Sequence, residues 1–293
     1  MDTLLLNPAR DLDEIRAWQK TLPGPSALTD FEEVIQLEAV QKRTRLWRQG
    51  DELVALALVD NFNNLFFEIT SEKTNPELED SIVDWGVTCQ KTLNQQHNRS
   101  DTLDACVRAD ASLHLRVLQD HGFIASATRS LKYRLSLNAP LVEAPLPAGF
   151  VIRPVYGESE VEALVSLHRA AFGSEAMTVE ERLSIMRSPH YCPELDLVAC
   201  DGNEILAAFC IGGLEELECE KIGFTDPIGT HPAFQKKGLA KALISHTARL
   251  LKDLGATLVL TGTSSENLPM QRLAQAMGFE LYREDVWFTK RLD

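Results

Sequence analysis

The chain is 293 residues long, 44% of them hydrophobic and 25% charged, with a formal net charge of −14. At roughly 150 residues per domain that length implies two folded domains, and the composition excludes a disordered, fibrous or membrane chain. The negative charge is shared, −6 in residues 1–138 (15 basic, 21 acidic) and −8 in the remainder (14 basic, 22 acidic), so neither half has the basic balance of a nucleic-acid binder.

The six cysteines, Cys89, Cys106, Cys192, Cys200, Cys210 and Cys219, form no CxxC pair and share no zinc-like spacing with histidine. They read as buried free thiols, and no metal is expected. Met1 to Leu6 lacks the basic start and long apolar run of a targeting segment, and no stretch approaches ~18 consecutive apolar residues, which points to a soluble cytoplasmic chain with no membrane partner.

In chain order, Gly50 to Val59 reads as a turn followed by a buried strand, and Asn75 to Asp80 as the acidic start of a helix. Asn138 to Gly149 contains three prolines and cannot continue a helix or a central strand, so it reads as a linker. The boundaries that follow are 1–138 for the first domain, 139–149 for the linker and 150–293 for the second. Beyond the linker, Phe150 to Val155 reads as a strand, and Val161 to Phe172 and Val179 to Ser188 as helices. Leu195 to Cys200 and Ile205 to Ile211 form a hairpin about Asp201-Gly202-Asn203. Lys221 to Thr230 is a strand, Lys237 to Leu254 a helix, and Thr257 to Thr261 a buried strand. A helix from Pro269 to Met277 and a strand from Leu281 to Lys290 complete the unit. This is an α/β (α+β) pattern, a twisted mixed sheet flanked by helices. A parallel strand pair is expected around the long helix, because a crossover helix returns the chain in the same direction.

The two halves repeat one plan. Gly50 to Val59 aligns with Gly202 to Ile211, Leu78 and Ile82 with Leu239 and Leu243, and Gly122-Phe123 with Gly278-Phe279, in the same order. Leu131 to Leu135 and Phe288 to Leu292 are similar apolar-basic strands, read as closing each unit.

Chemistry concentrates in Asp226 to Ile244, where a strand meets a helix through a basic, glycine-containing loop. A helix start exposes unpaired N–H groups and a partial positive charge, which suits a phosphate or pyrophosphate. Gly238 removes a Cβ where a ligand would approach the backbone, and Lys236, Lys237 and Lys241 add positive charge. A solvated helix start with a turn glycine is the plainer alternative for the same residues. The segment is not a GxxxxGK[ST] nucleotide loop.

Gln235-x-x-Gly238-x-Ala240 at the head of a helix, after the strand Pro227 to Pro232, resembles the coenzyme A signature of the GNAT superfamily of N-acyltransferases. The strand Gly255 to Leu260, followed by Asn267, Leu273 and Gly278-Phe279, is similar to that family's later elements. The resemblance implies two tandem GNAT-like domains, each a twisted mixed sheet flanked by helices, the first of them degenerate. Tandem GNAT proteins, including relatives of mycothiol synthase, supply the architectural precedent, though no residue here specifies mycothiol chemistry. It also implies acetyl coenzyme A as co-substrate, held by Ile228, Gly229, Thr230, Gln235, Lys236, Lys237, Gly238, Leu239, Ala240, Lys241 and Asn267. The loop would cradle the pyrophosphate, Ile228 and Thr230 would bind the pantetheine arm as an added strand, and the Ile228 N–H would polarise the thioester carbonyl. Asn267 reads equally as a helix cap before Pro269.

The acceptor implied is a small-molecule or protein amine, on a monomer or homodimer. An amine with a pKa near ~10.4 must lose a proton before attack. Asp226 is the candidate base, two residues before Ile228 and so expected on the same strand face; a solvated strand-end carboxylate is the alternative. Glu220, Glu218 and a water held by backbone carbonyls are fallbacks. The family's frequent tyrosine acid, four residues before the glycine of Gly-Phe, is Ala274 here, leaving Tyr282, Tyr191 or His231 as substitutes. In the first domain Asn75-Pro-Glu-Leu-Glu-Asp80 replaces the phosphate loop and would repel a pyrophosphate. A noncatalytic acyl coenzyme A binder or sensor is the competing reading, and a pure interaction module the third. The acceptor pocket is assigned to Val161 to Ser188, the loop Gly212 to Cys219 and the N-terminal half; the acidic run Glu215 to Glu220 suits a cationic amine, with a solvated loop or strand edge as the plainer alternative.

Overall fold

The structure is a computed structural model that describes residues 1–22, 31, 34–189, 191–217 and 220–292. The chain parts into two compact units: Met1–Ser130 together with Glu284–Asp293, and Leu131–Arg283.

The first unit opens with strand β1 (Asp2–Leu5) and helix α1 (Pro8–Gln19), then a short helix α2 (Glu38–Gln41). Strands β2 (Thr44–Gln49), β3 (Glu52–Val59) and β4 (Leu65–Ile69) follow, and the sheet order is β1-β2-β3-β4, each pair antiparallel. β3 is apolar on both faces because both are covered. Val54, Ala55, Ala57 and Val59 pack with Leu78, Ile82 and Val83 of the long helix α3 (Pro76–His97). Leu53, Leu56 and Leu58 pack instead with Ile15, Phe31 and Ile35. Strand β5 (Leu103–Arg108) and helix α4 (Ser112–Asp120) come next. The unit is completed by chain from the far end of the sequence: residues 285–290 of β12 (Glu280–Lys290) pair antiparallel with β5. Val286 and Phe288 enter the core formed by α3, β3 and β4.

The second unit begins within β6 (Ile124–Ser136) and continues through β7 (Phe150–Pro154), α5 (Val161–Phe172), α6 (Val179–Met186), β8 (Tyr191–Asp201), β9 (Leu206–Leu217) and β10 (Glu220–Thr230). Helix α7 (Leu239–Asp253), strand β11 (Leu258–Ser264) and helix α8 (Leu268–Ala276) follow. Its sheet runs β6-β11-β10-β9-β8-β7. β10 and β11 form the parallel pair about α7, the geometry a crossover helix requires. One face packs on α7 and α8 through Ile244, Ala248, Leu251, Ala274 and Phe279. The other packs on α5 and α6 through Leu164, Leu167, Val198 and Phe209.

The element order read from the sequence matches these strands and helices, with two differences. The segment read as the loop Gly212 to Cys219 is strand as far as Leu217, because β9 stays paired with β10 out to Leu217↔Glu220; Glu218 and Cys219 lie outside the described residues. The closing strands are exchanged relative to the boundaries 1–138, 139–149 and 150–293. Leu131–Ser136 belongs to the second unit and Glu284–Asp293 to the first. The proline-rich segment is also no free linker: Leu141, Ala144 and Leu146 pack against the core clusters of the second unit, and the Ala144 N–H donates to Ser245 Oγ at 3.3 Å.

The repeat has a structural counterpart in the helix closures. Gly122 follows α4 at φ +75° and Gly278 follows α8 at φ +86°, a left-handed conformation that glycine adopts without a Cβ clash. In each case the next residue is a buried phenylalanine whose N–H bonds back at 3.0 Å, Phe123 to Leu118 and Phe279 to Ala274.

Candidate active site

The second unit's sheet opens along β10. Parallel pairing with β11 runs from Ile222↔Leu258 to Phe224↔Leu260. Thr261 Oγ1 donates to the Thr225 carbonyl at 3.1 Å just beyond it. The β10–β9 register then shifts between Thr225 and Ile228, a bulge at Asp226-Pro227, whose peptide is cis. Past the bulge Ile228, Gly229 and Thr230 lie opposite Cys210, Phe209 and Ala208, and the His231 N–H donates to the Ala207 carbonyl at 2.9 Å. Antiparallel partners alternate between bonded and unbonded pairs, so His231 and Gly229 face β9. Ile228 and Thr230 therefore turn their backbone groups the other way, toward the side from which β11 has diverged. That is a strand edge open to an extended ligand.

The same edge leads into the basic loop. A single 3₁₀ turn, Pro232–Phe234, is capped by His231, whose Nδ1 accepts the Ala233 N–H at 3.2 Å. Gln235 Nε2 donates to the Thr230 carbonyl at 3.3 Å and ties the loop to the strand. Lys236 is left-handed at φ +61° and Gly238 at φ +90°. Gly238 is the N-cap of α7 and has no side chain to satisfy the first-turn N–H groups, which leaves them as donors. A methyl on Gly238 would meet nothing nearer than Pro147 Cγ at 4.0 Å, so the space above it is open. Lys236, Lys237 and Lys241 are exposed around it. Lys237 Nζ lies 5.0 Å from the Phe234 ring centroid and 5.8 Å from that of Phe150, a cation–π seat that holds it beside the loop. The residues present thus fit an extended amide arm ending in a pyrophosphate.

Asn267 is the N-cap of α8, its Oδ1 accepting the Met270 N–H at 3.2 Å, so its carboxamide nitrogen remains as a donor. Asp226 is exposed, whereas the Ile228 side chain packs into the clusters beneath α7. The shared face expected for the pair is lost because the bulge interrupts strand alternation. Asp226 Oδ2 instead lies over β11, 3.0 Å from where a methyl on Gly262 would sit. Glu220 is spent at the far end of β10, where it accepts from Thr257 Oγ1 at 2.8 Å.

The substitutes for the missing tyrosine are placed otherwise. Ala274 is fully buried in the core, so this position presents no group to a cleft. The Tyr191 hydroxyl donates to Asp196 at 2.7 Å, and burial followed by the Asp196 charge pushes its pKa up. Asp196 is itself fully buried and pairs with Arg182. His168 stacks on Phe172 and Phe209, with centroids 4.5 and 5.6 Å apart; burial and then Arg182 depress its pKa to about 4, which keeps it neutral near pH 7. Of this polar group beneath α5 and α6 only Tyr191 was legible in the sequence; His168, Arg182 and Asp196 match no motif.

Among the described residues no group of three or more His, Cys, Asp or Glu gathers to hold a metal, and no helix is long and apolar enough to cross a membrane.

Residues 161–279 match the acetyltransferase (GNAT) family. A mycothiol acetyltransferase of Pseudarthrobacter chlorophenolicus is 28% identical over 156 residues, 51% of this chain and 48% of that protein, so the chain spans about half of that relative's length. An aminoglycoside N(6')-acetyltransferase type 1 of Salmonella typhimurium is 34% identical over 68 residues, 23% of this chain and 47% of that protein. Among solved structures, a tandem GNAT protein from the clavulanic acid biosynthesis pathway shares the fold, with a TM-score of 0.71 at 17% identity, covering 100% of this chain and 98% of that one.

Proposed function

We propose that the chain, whose residues 161–279 match the acetyltransferase (GNAT) family, is an N-acyltransferase carrying an acetyl group from acetyl coenzyme A to a primary amine. The observation that supports this best is the continuity of the open strand edge at Ile228 and Thr230 with the uncapped start of α7. Together they match the shape of a pantetheine arm and its pyrophosphate.

Acetyl coenzyme A supplies the activated thioester. The N–H groups of Leu239, Ala240 and Lys241, with Lys236 and Lys237, hold the pyrophosphate, and Thr230 and Asn267 bind amides of the arm. The Ile228 N–H donates to the carbonyl oxygen as it gains negative charge, an electrostatic contribution that grows in the transition state. Asp226 accepts one proton of the acceptor ammonium, the nitrogen then bonds the carbonyl carbon, the carbon–sulfur bond breaks, and the second proton that the nitrogen must lose to become an amide passes to solvent. The thiolate, of ordinary pKa ~8.5, leaves to be protonated by solvent, so the reaction does not depend on the tyrosine that Ala274 replaces.

The acceptor is a primary amine, with those used by the mycothiol and aminoglycoside enzymes as the first candidates. Thiol release with an amine panel tests it, alongside calorimetric titration with coenzyme A. Cofactor binding without turnover on any amine favours a second reading, a noncatalytic acyl coenzyme A sensor, for which the buried Ala274 and the committed Tyr191 speak. No cofactor affinity defeats both.

A further inference from the structure

Lys132 lies on β6 between Leu131 and Tyr133, whose side chains enter the core beneath α7 and α8. Alternation along the strand sends Lys132 to the opposite face. There it reaches β11: a methyl on Gly262 would lie 3.2 Å from Lys132 Nζ, 3.4 Å from its Cδ and 3.0 Å from Asp226 Oδ2. Ammonium and carboxylate are therefore gathered over one bare backbone position, beside the bulge that turns Asp226 out of the β10 alternation. The thiol of Cys210 on β9 also feels Asp226, but burial, only partly offset by the hydrogen bond that Thr247 Oγ1 donates to its sulfur, pushes it up to about 12, so it stays neutral. Asp196 on β8 is neutralised by Arg182.

We propose that Lys132 is a positioning residue for acetyl transfer: its ammonium keeps the Asp226 carboxylate charged and turned across Gly262, where it meets the proton of the arriving amine. The inference rests on the reading of Asp226 as proton acceptor. A cation beside a carboxylate favours its charged form, so Asp226 stays deprotonated, and able to accept a proton, to lower pH than it would alone. Gly262 permits the arrangement, because any side chain there would separate the two groups. Asp226 is exposed and Lys132 half-buried, so water weakens the pairing and its signature is a pH profile rather than a change in stability.

The test uses the full chain with Lys132→Met, Lys132→Arg and Gly262→Ala. Carbon NMR follows carboxyl titration, the Asp226 signal being assigned by its loss in Asp226→Asn. The Asp226 midpoint rises by about half a unit or more in Lys132→Met and in Gly262→Ala, and stays near wild type in Lys132→Arg. The acidic limb of kcat/KM for the best amine of the panel moves the same way, with coenzyme A affinity unchanged. An unmoved midpoint in Lys132→Met, together with a crippled Asp226→Asn, overturns the role of Lys132 alone. A moved midpoint with wild-type turnover in Asp226→Asn overturns the catalytic reading of Asp226 and the role of Lys132 with it.

Discussion

Asp226 and Gly238 serve different parts of the proposed reaction, and their substitutions separate those parts. Asp226→Asn retains coenzyme A affinity in calorimetry while turnover falls by ~10²- to 10⁴-fold, the range of a general acid–base group. The loss is partly relieved at high pH, where free amine is more abundant; superimposed pH–rate profiles for wild type and mutant exclude Asp226. Gly238→Glu acts on binding. With φ at +90° a side chain costs roughly 1–2 kcal/mol of strain. The new carboxylate also faces the pyrophosphate, so affinity for coenzyme A falls by about tenfold or more, tenfold being ~1.4 kcal/mol. Gly238→Ala, with the strain but not the charge, is the control, and equal affinity for Gly238→Glu and wild type removes the loop from the site. The loop residues were legible in the sequence because glycine and lysine at a helix start carry their chemistry locally. Lys132 was not, since it sits 94 residues before Asp226 and only strand order brings them together.

Helix starts show the same contrast at the next scale. The N-cap of α7 is a glycine with nothing to offer the first turn, whereas Asn75 caps α3 by accepting the Leu78 N–H at 3.0 Å. Pro76 removes a further donor, and Glu79, nearly fully buried, accepts from Arg116 and from Thr74 Oγ1 at 2.7 Å. The first-unit helix thus satisfies itself and repels anions. The Arg116 hydrogen bond, aided by Thr74 and opposed by burial, holds the Glu79 carboxyl below its usual range. A carboxylate with a lowered folded-state pKa adds stability above its unfolded value of ~4.3, and that stability disappears as the pH falls through the folded value. Arg116→Ala therefore melts well below wild type at pH 7, and the gap narrows below about pH 4. An equal gap at both pH values in thermal melts refutes the ion pair as its source. Helices and strands of the second unit were readable from periodicity and turn residues, which act within one element. The bulge at Asp226-Pro227 was not, because it shows only in the register against β9.

At the scale of the molecule, the exchanged segments decide which pieces of the chain can be studied alone. A cut at the proline-rich stretch leaves residues 1–138 without Val286 and Phe288, both core residues of the first unit, and residues 150–293 without Leu131, Tyr133 and Leu135, core residues of the second. Each piece loses large apolar side chains whose removal costs ~3–5 kcal/mol apiece for an aromatic, a large share of a domain's stability. Deleting residues 284–293 therefore strips native amide protection from β5 and α3 in hydrogen exchange, and wild-type protection there in the truncated chain contradicts the assignment of the segment. The exchanged segments were not legible in the sequence because a linker composition marks where chain leaves a sheet, not which sheet the next strand joins. The exchange also orders events in time. A ribosome makes the first 130 residues long before Glu284 to Lys290 exist, so the unit synthesised earliest is finished last, and its β5 edge must wait unpaired through translation of the whole second unit.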